Sequence, residues 1–254
     1  MVRSRRSGGI SVGINLDPQK TCNFDCVYCE VIDRRALAKR AGRPPIELEA
    51  VVAELRAELA ALAAAGEPPR DIAFAGDGEP STFPGFLPLA RAVFDARDAA
   101  GLAGIPVVLI TNGSGLDRAE MREAHDLFDE RGGVFWIKLD AGTERFYQEV
   151  CRTAVPFTRV LANLTAAARR HPVVVQSMLF RFRGQAPADE EVEAWTERLA
   201  EVVAAGGRLR LVQVYTVARE TMEPDVEPLN AGELESIVER LRARLPQVPA
   251  ALYS

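Results

Sequence analysis

Cysteine, histidine and lysine are all scarce in this 254-residue chain, with four, two and three residues respectively. Four cysteines cannot staple a chain of this size, which excludes a disulfide scaffold. No run approaches the ~20 consecutive apolar residues of a membrane helix, so no membrane partner is expected. Positive charge is not in excess: 31 Lys and Arg against 36 Asp and Glu leave −5, which excludes broad nonspecific nucleic-acid binding. An export core is also missing. Ser4-Arg5-Arg6 has a superficial likeness to a twin-arginine signal, but glycines, Asp17 and Pro18 occupy the stretch where an apolar core belongs. The expected compartment is therefore the cytoplasm. What remains, 48% hydrophobic and 26% charged residues, is the composition of a folded globular chain.

Short β-rich apolar runs alternate with longer segments of helical periodicity, the pattern of parallel strands joined by crossover helices. Six runs stand out: Ile10 to Leu16, Asp71 to Gly76, Val107 to Thr111, Val134 to Leu139, Val173 to Phe180 and Arg208 to Val214. The helical segments are Ile46 to Ala65, Gly85 to Ala100, Asp117 to Asp129, Pro156 to Arg169, Ala188 to Ala205 and Ala231 to Leu245. The expected fold is α/β, a partial (β/α)6 barrel of parallel strands, with residues 1–254 as one domain ending after the sixth helix. Asp33 to Pro45 reads as a long basic loop. In such barrels chemistry gathers at the C-terminal ends of the strands, and the unusual polar clusters all fall there. They are Cys22, Cys26 and Cys29; Gly76-Asp77-Gly78-Glu79-Pro80; Thr111-Asn112-Gly113-Ser114; Lys138-Leu139-Asp140; Gln176 and Ser177; and Gln213 and Tyr215.

Three soft thiolates at Cys22, Cys26 and Cys29 select an iron–sulfur cluster or zinc over hard cations. Three ligands leave one metal position open. A zinc site completed by Cys151, His125 or His171 is the rival reading, and Cys151, in a helical context, is otherwise expected to be buried and inert. Gly76 and Gly78 permit close backbone approach to a ligand, and Glu79 offers an anion to an ammonium group; a tight Asp-Gly turn explains the same residues without a ligand.

The loop Cys22-Asn23-Phe24-Asp25-Cys26-Val27-Tyr28-Cys29 resembles the CxxxCxΦC loop of the radical S-adenosylmethionine (SAM) superfamily, with Tyr28 at the aromatic position. Gly76-Asp77-Gly78-Glu79-Pro80 is similar to that family's GGEP motif, Asp77 standing where its second glycine does. The resemblance implies a 4Fe-4S cluster on the three cysteines, SAM on the cluster and on residues 76–79, and reductive cleavage of SAM to a 5′-deoxyadenosyl radical. It further implies hydrogen bonds to SAM from Asn112, Asp140 and Gln176. Together with Ser4-Arg5-Arg6, Gly13 to Leu16 and Val214 to Arg219, these motifs look most like the branch containing the tRNA wyosine-base synthases, without the extra N-terminal cysteine set those enzymes carry. The substrate implied is a small molecule or a tRNA base. A glycyl-radical activating enzyme and a non-enzymatic zinc or iron–sulfur module are the alternatives. A flavodoxin or ferredoxin-type reductant is expected, and Arg34, Arg35, Lys39, Arg40 and Arg43 offer it a basic patch. Lys138 shares a strand face with Trp136 and Asp140. It is expected either to pair with Asp140 or Glu79, or to act on substrate as a carboxylate anchor or imine-forming amine.

Overall fold

A computed structural model describes residues 1–4, 6–16, 22–31 and 46–253. The basic segment Asp33 to Pro45 lies outside the described residues. The strands are β1 (Val2–Ser4), β2 (Gly9–Ile14), β3 (Asp71–Phe74), β4 (Val107–Thr111), β5 (Val134–Lys138), β6 (Val173–Met178), β7 (Phe180–Phe182), β8 (Leu209–Tyr215), β9 (Val226–Pro228) and β10 (Ala250–Tyr253). Between them run helices α1 (Leu48–Ala64), α2 (Phe86–Ala99), α3 (Ala119–Glu130), α4 (Glu144–Cys151), α5 (Phe157–Arg170), α6 (Asp189–Ala204) and α7 (Ala231–Arg244).

One eight-stranded sheet has the order β1-β2-β3-β4-β5-β6-β8-β10. From β2 to β10 every pairing is parallel, and only β1 runs antiparallel, as the edge hairpin partner of β2. The sheet curls into a half barrel. Its helix side carries the main core, in which Phe74, Phe86, Phe94 and Phe128 are fully buried. At ~1.5–3 kcal/mol for each such side chain, this face dominates the packing energy. The concave side carries a smaller apolar cluster of Ala73, Val108, Val134, Trp136 and Val174. Strand alternation produces this division: Val134 and Trp136 face inward, while Phe135 and Ile137 face the helices.

The alternating architecture is the one expected, with two corrections. The chain does not stop at the sixth crossover helix, because Ala250–Tyr253 returns as a seventh parallel strand beside β8. The run Val173 to Phe180 divides, since Phe180–Phe182 leaves the main sheet to pair antiparallel with Val226–Pro228. At the other edge, the β1–β2 hairpin is tied to the start of β3 by the Ser7 and Ser11 hydroxyls, both of which donate to the buried Asp71 carboxylate. No helix among the described residues is long and apolar enough to cross a membrane.

Candidate active site at the C-terminal rim

Behind β3 the chain turns through Gly76, whose φ of 151° carries it across the side chain of Asn15. A Cβ at Gly76 would lie 2.6 Å from Asn15 Oδ1, so only glycine fits this crossing. Asn15 in turn holds Asp77: Nδ2 donates to Asp77 Oδ2 at 3.0 Å and Oδ1 accepts from the Asp77 amide at 3.3 Å. Glu79 is buried and folds over the following 3-10 turn, accepting from the Ser81 amide at 3.0 Å. It also accepts from the Thr111 hydroxyl and, at 2.7 Å, from the Asn112 amide. Burial raises its pKa despite these donors. The turn reading and the ligand reading of this loop are thus compatible, since a carboxylate with three donors keeps acceptor capacity for an ammonium group.

The cysteine loop crosses the rim beside it and is pinned from three directions. Asn23 donates to Ser114 Oγ at 2.8 Å and accepts from Asn112 Nδ2 at 2.9 Å, so the turn after β4 links the loop to Glu79. The amides of Asp25 and Val27 donate to the carbonyls of Cys151 and Val150 at 3.0 and 2.9 Å. These are last-turn carbonyls of α4, which have no acceptor duty within their own helix. Lastly, the Met222 amide donates to the Cys29 carbonyl at 2.9 Å. Helix α4 is itself fixed at its start, where Thr143 caps it and Glu191 holds the Thr143 hydroxyl and the Gly142 amide.

Cys22, Cys26 and Cys29 are half-buried and Cys151 is buried; no two of them form a disulfide. The three loop thiols share one short segment, but among the described residues no three Cys, His, Asp or Glu side chains are drawn close enough to hold a metal. Cys26 faces Cys151, whose hydrogen bond, aided by the charge of Lys138, lowers the Cys26 pKa against the effect of burial. Neither histidine can complete a zinc site here. The His125 ring stacks on Phe135, and His171, two residues ahead of β6, contacts Asp126 and Asp129; both sit toward the N-terminal ends of the strands.

Deeper in, Tyr28 donates to Asp140 Oδ2 at 2.5 Å, while the Met178 amide donates to Asp140 Oδ1 at 2.7 Å. Asp140 therefore anchors the aromatic residue of the cysteine loop to β6. Lys138 Nζ lies 5.2 Å from the Tyr28 ring centroid. The expected ion pair of Lys138 with Asp140 or Glu79 is not formed: their carboxylates are occupied by uncharged donors, and no described acid lies within 4.0 Å of its ammonium. Burial opposes the charge, yet Tyr215, Asp140 and Cys26 outweigh it and hold the Lys138 pKa above its ordinary value. A cavity of about 30 Å³, room for one water, lies between Cys26, Tyr28, Asn112, Lys138, Asp140 and Cys151 and borders the helix-side core at Tyr147 and Phe157. Gln176 donates to Gln213 Oε1 at 2.7 Å, further inside. Asn15, Asn23 and Thr111 lie within the motifs read from the sequence, but the partners of their side chains are set by the fold; the support from Met222 has no sequence signal, because it comes from a backbone amide that any residue carries.

The family model for the Radical SAM superfamily matches residues 16–195. Among curated relatives, the chain is 24% identical over 92% of its length to a protein of Brachyspira hyodysenteriae named GTPase Obg. It is 31% identical over 59% of its length to a UPF0026 protein of Methanocaldococcus jannaschii. The chain covers only 32% and 42% of those two proteins. Three solved structures share the fold. A radical SAM methyltransferase from Sphaerobacter thermophilus aligns over 96% of this chain and 64% of its own, with a TM-score of 0.67 and 15% identity. SuiB of Streptococcus suis, bound to S-adenosylmethionine, aligns over 96% of this chain and 51% of its own, at 0.62 and 13%. An archaeal TYW1 aligns over 81% of this chain and 66% of its own, at 0.52 and 14%.

Proposed function

The chain belongs to the Radical SAM superfamily, and from that premise we propose that it is an enzyme in which Cys22, Cys26 and Cys29 hold a 4Fe-4S cluster beside a SAM site on the C-terminal rim. The single observation that carries this reading is the pinning of one three-thiol loop, through Asn23 and Asn112, to the buried carboxylate of Glu79. The donor set suits the group: three thiols on one segment match the ligand preference of iron–sulfur clusters and leave one position for a cofactor. When bound and reduced, such a cluster supplies the electron that cleaves SAM to methionine and a 5′-deoxyadenosyl radical.

The chain's own residues have separable tasks. Glu79 offers its remaining acceptor capacity to the cofactor's ammonium group, and Gly76 lets the backbone pass close to it. Asn112 ties this acceptor to the cysteine loop, so cofactor and cluster would be held at one fixed separation. Asp140 orients Tyr28 and closes the inner wall below Cys26. Gln176 lies further inside, fully buried and hydrogen-bonded to Gln213. The electron donor fits a flavodoxin or ferredoxin-type protein and the substrate a small molecule or a tRNA base. Anaerobic loading with iron and sulfide, followed by dithionite and SAM, tests the reading. Release of 5′-deoxyadenosine by the wild type but not by Cys22→Ala is expected; no 5′-deoxyadenosine from an iron-loaded protein would overturn it.

A further inference from the structure

Cys151 is the one cysteine outside the loop, and the fold brings it to Cys26. The amides on either side of Cys26, those of Asp25 and Val27, donate to the carbonyls of Cys151 and Val150 at 3.0 and 2.9 Å. Helix α4 ends directly after Cys151, where Arg152 turns the backbone left-handed at a φ of 45°, and its last carbonyls are thereby open to the loop. The two main chains are fastened together beside both thiols, and the thiols hydrogen-bond to each other. The Tyr28 hydroxyl lies 3.9 Å from the Cys151 sulfur and is itself fixed on Asp140. Of the three loop cysteines, only Cys26 shares the water-sized cavity with Cys151.

The backbone bonds that join the two chains use no sulfur, so they hold the pair in place whether or not the loop carries a metal. Arg152 adds to them by pairing with Glu223, next to the Met222 amide that holds the Cys29 carbonyl. Two thiols in contact on joined main chains meet the first demand of a disulfide, closure without backbone movement. Core packing accounts for a buried cysteine, but it does not require that cysteine's sulfur to meet a metal-ligating thiol.

We propose that Cys151 is a resolving thiol for Cys26: when the loop carries no cluster, a peroxide oxidises the pair to a Cys26–Cys151 disulfide, which blocks cluster loading until a thiol reductant reopens it. The two S–H bonds and the peroxide O–O bond break, and one S–S bond forms. Two protons and two electrons pass from the thiols to the peroxide oxygens, which leave as two waters. A sulfur in that bond is no longer a thiolate and cannot ligate iron, so two loop ligands remain in place of three. The gain is reversibility. An unpartnered cysteine is carried on to sulfinic and sulfonic acids, which thiols do not reduce, whereas a disulfide returns to thiols. The effect on loading rests on the reading of the loop as the cluster site; the disulfide itself does not.

Full-length protein freed of metal and fully reduced, then treated anaerobically with one equivalent of hydrogen peroxide, tests both parts. In wild type, titration of the denatured chain should show two of its four thiols lost, and peptide mapping should find Cys26 joined to Cys151. Iron uptake on later loading should fall about fivefold or more and return after dithiothreitol. At equal peroxide dose, Cys151→Ser and Cys151→Ala should carry about fivefold more Cys26 sulfinic and sulfonic acid than wild type, read by mass spectrometry. A wild-type disulfide between two loop cysteines with Cys151 left free, no loss of thiols, or equal over-oxidation of Cys26 with and without Cys151 would overturn the proposal. So would full iron uptake by the disulfide form. Untreated wild type that takes up no cluster would instead refute the reading of the loop as a cluster site, and the peptide map would still decide the pairing.

Discussion

Glu79 shows how one side chain can serve the fold and the site at once. Its carboxylate takes three donors from Ser81, Thr111 and Asn112 in a buried position. Removing it leaves those donors without an acceptor, which costs ~1–3 kcal/mol. Glu79→Ala is therefore expected to lower the unfolding free energy by about that amount in urea titrations, to weaken SAM binding in equilibrium dialysis, and to leave iron content unchanged. Unaltered SAM affinity would reduce the loop to a structural turn. Lys138 is the converse case: lysine is rare in the sequence, but only the structure shows that it forms a contact ion pair with neither expected acid, while the charge of Asp140 still acts on it across the site.

At the scale of elements, helix α4 carries more of the site than its eight residues suggest. Its last carbonyls receive the cysteine loop, and its first turn stands on Glu191 of α6. Gly142, just before it, lies against the α6 backbone, where an added Cβ would come within 2.0 Å of the Trp195 amide nitrogen. No side-chain rotation relieves a backbone clash, so Gly142→Ala is expected to cost more than ~3 kcal/mol and to lower iron retention with it, measured by urea melts and iron assay. By contrast, Asn230→Ala removes the capping box of α7, whose two hydrogen bonds stay within that helix's first turn, and should cost ~1 kcal/mol with iron retention intact. The sequence made the six crossover units readable because each pairs a β-branched run with a long amphipathic segment. Helix α4 and strands β1, β7, β9 and β10 were not readable, because segments of three to eight residues carry too little periodicity. The thiols and Glu79 could be picked out by residue type and spacing. The carbonyls and amides that hold them could not, since every residue has them.

For the molecule as a whole, acid stability should report on His125, far from the rim. Burial, reinforced by His171, lowers its pKa from 6.5 to about 3. The unfolded chain therefore takes up a proton first as pH falls, so the stability held above pH 6.5 is lost progressively between 6.5 and 3. By pH 5 this amounts to ~2 kcal/mol. Urea midpoints at pH 7.5 and 5.0 should move less for His125→Gln than for wild type by that margin; equal movement would contradict the assignment. The account as a whole turns on whether one loop of one barrel holds the metal. Iron and sulfide per chain after anaerobic loading, compared across Cys22→Ala, Cys26→Ala, Cys29→Ala and Cys151→Ala, test that most directly. About four irons and four sulfides are predicted in wild type and in Cys151→Ala, with loss in each of the other three. Iron retained without Cys22, Cys26 or Cys29, or lost without Cys151, or zinc bound stoichiometrically in place of iron, would contradict it.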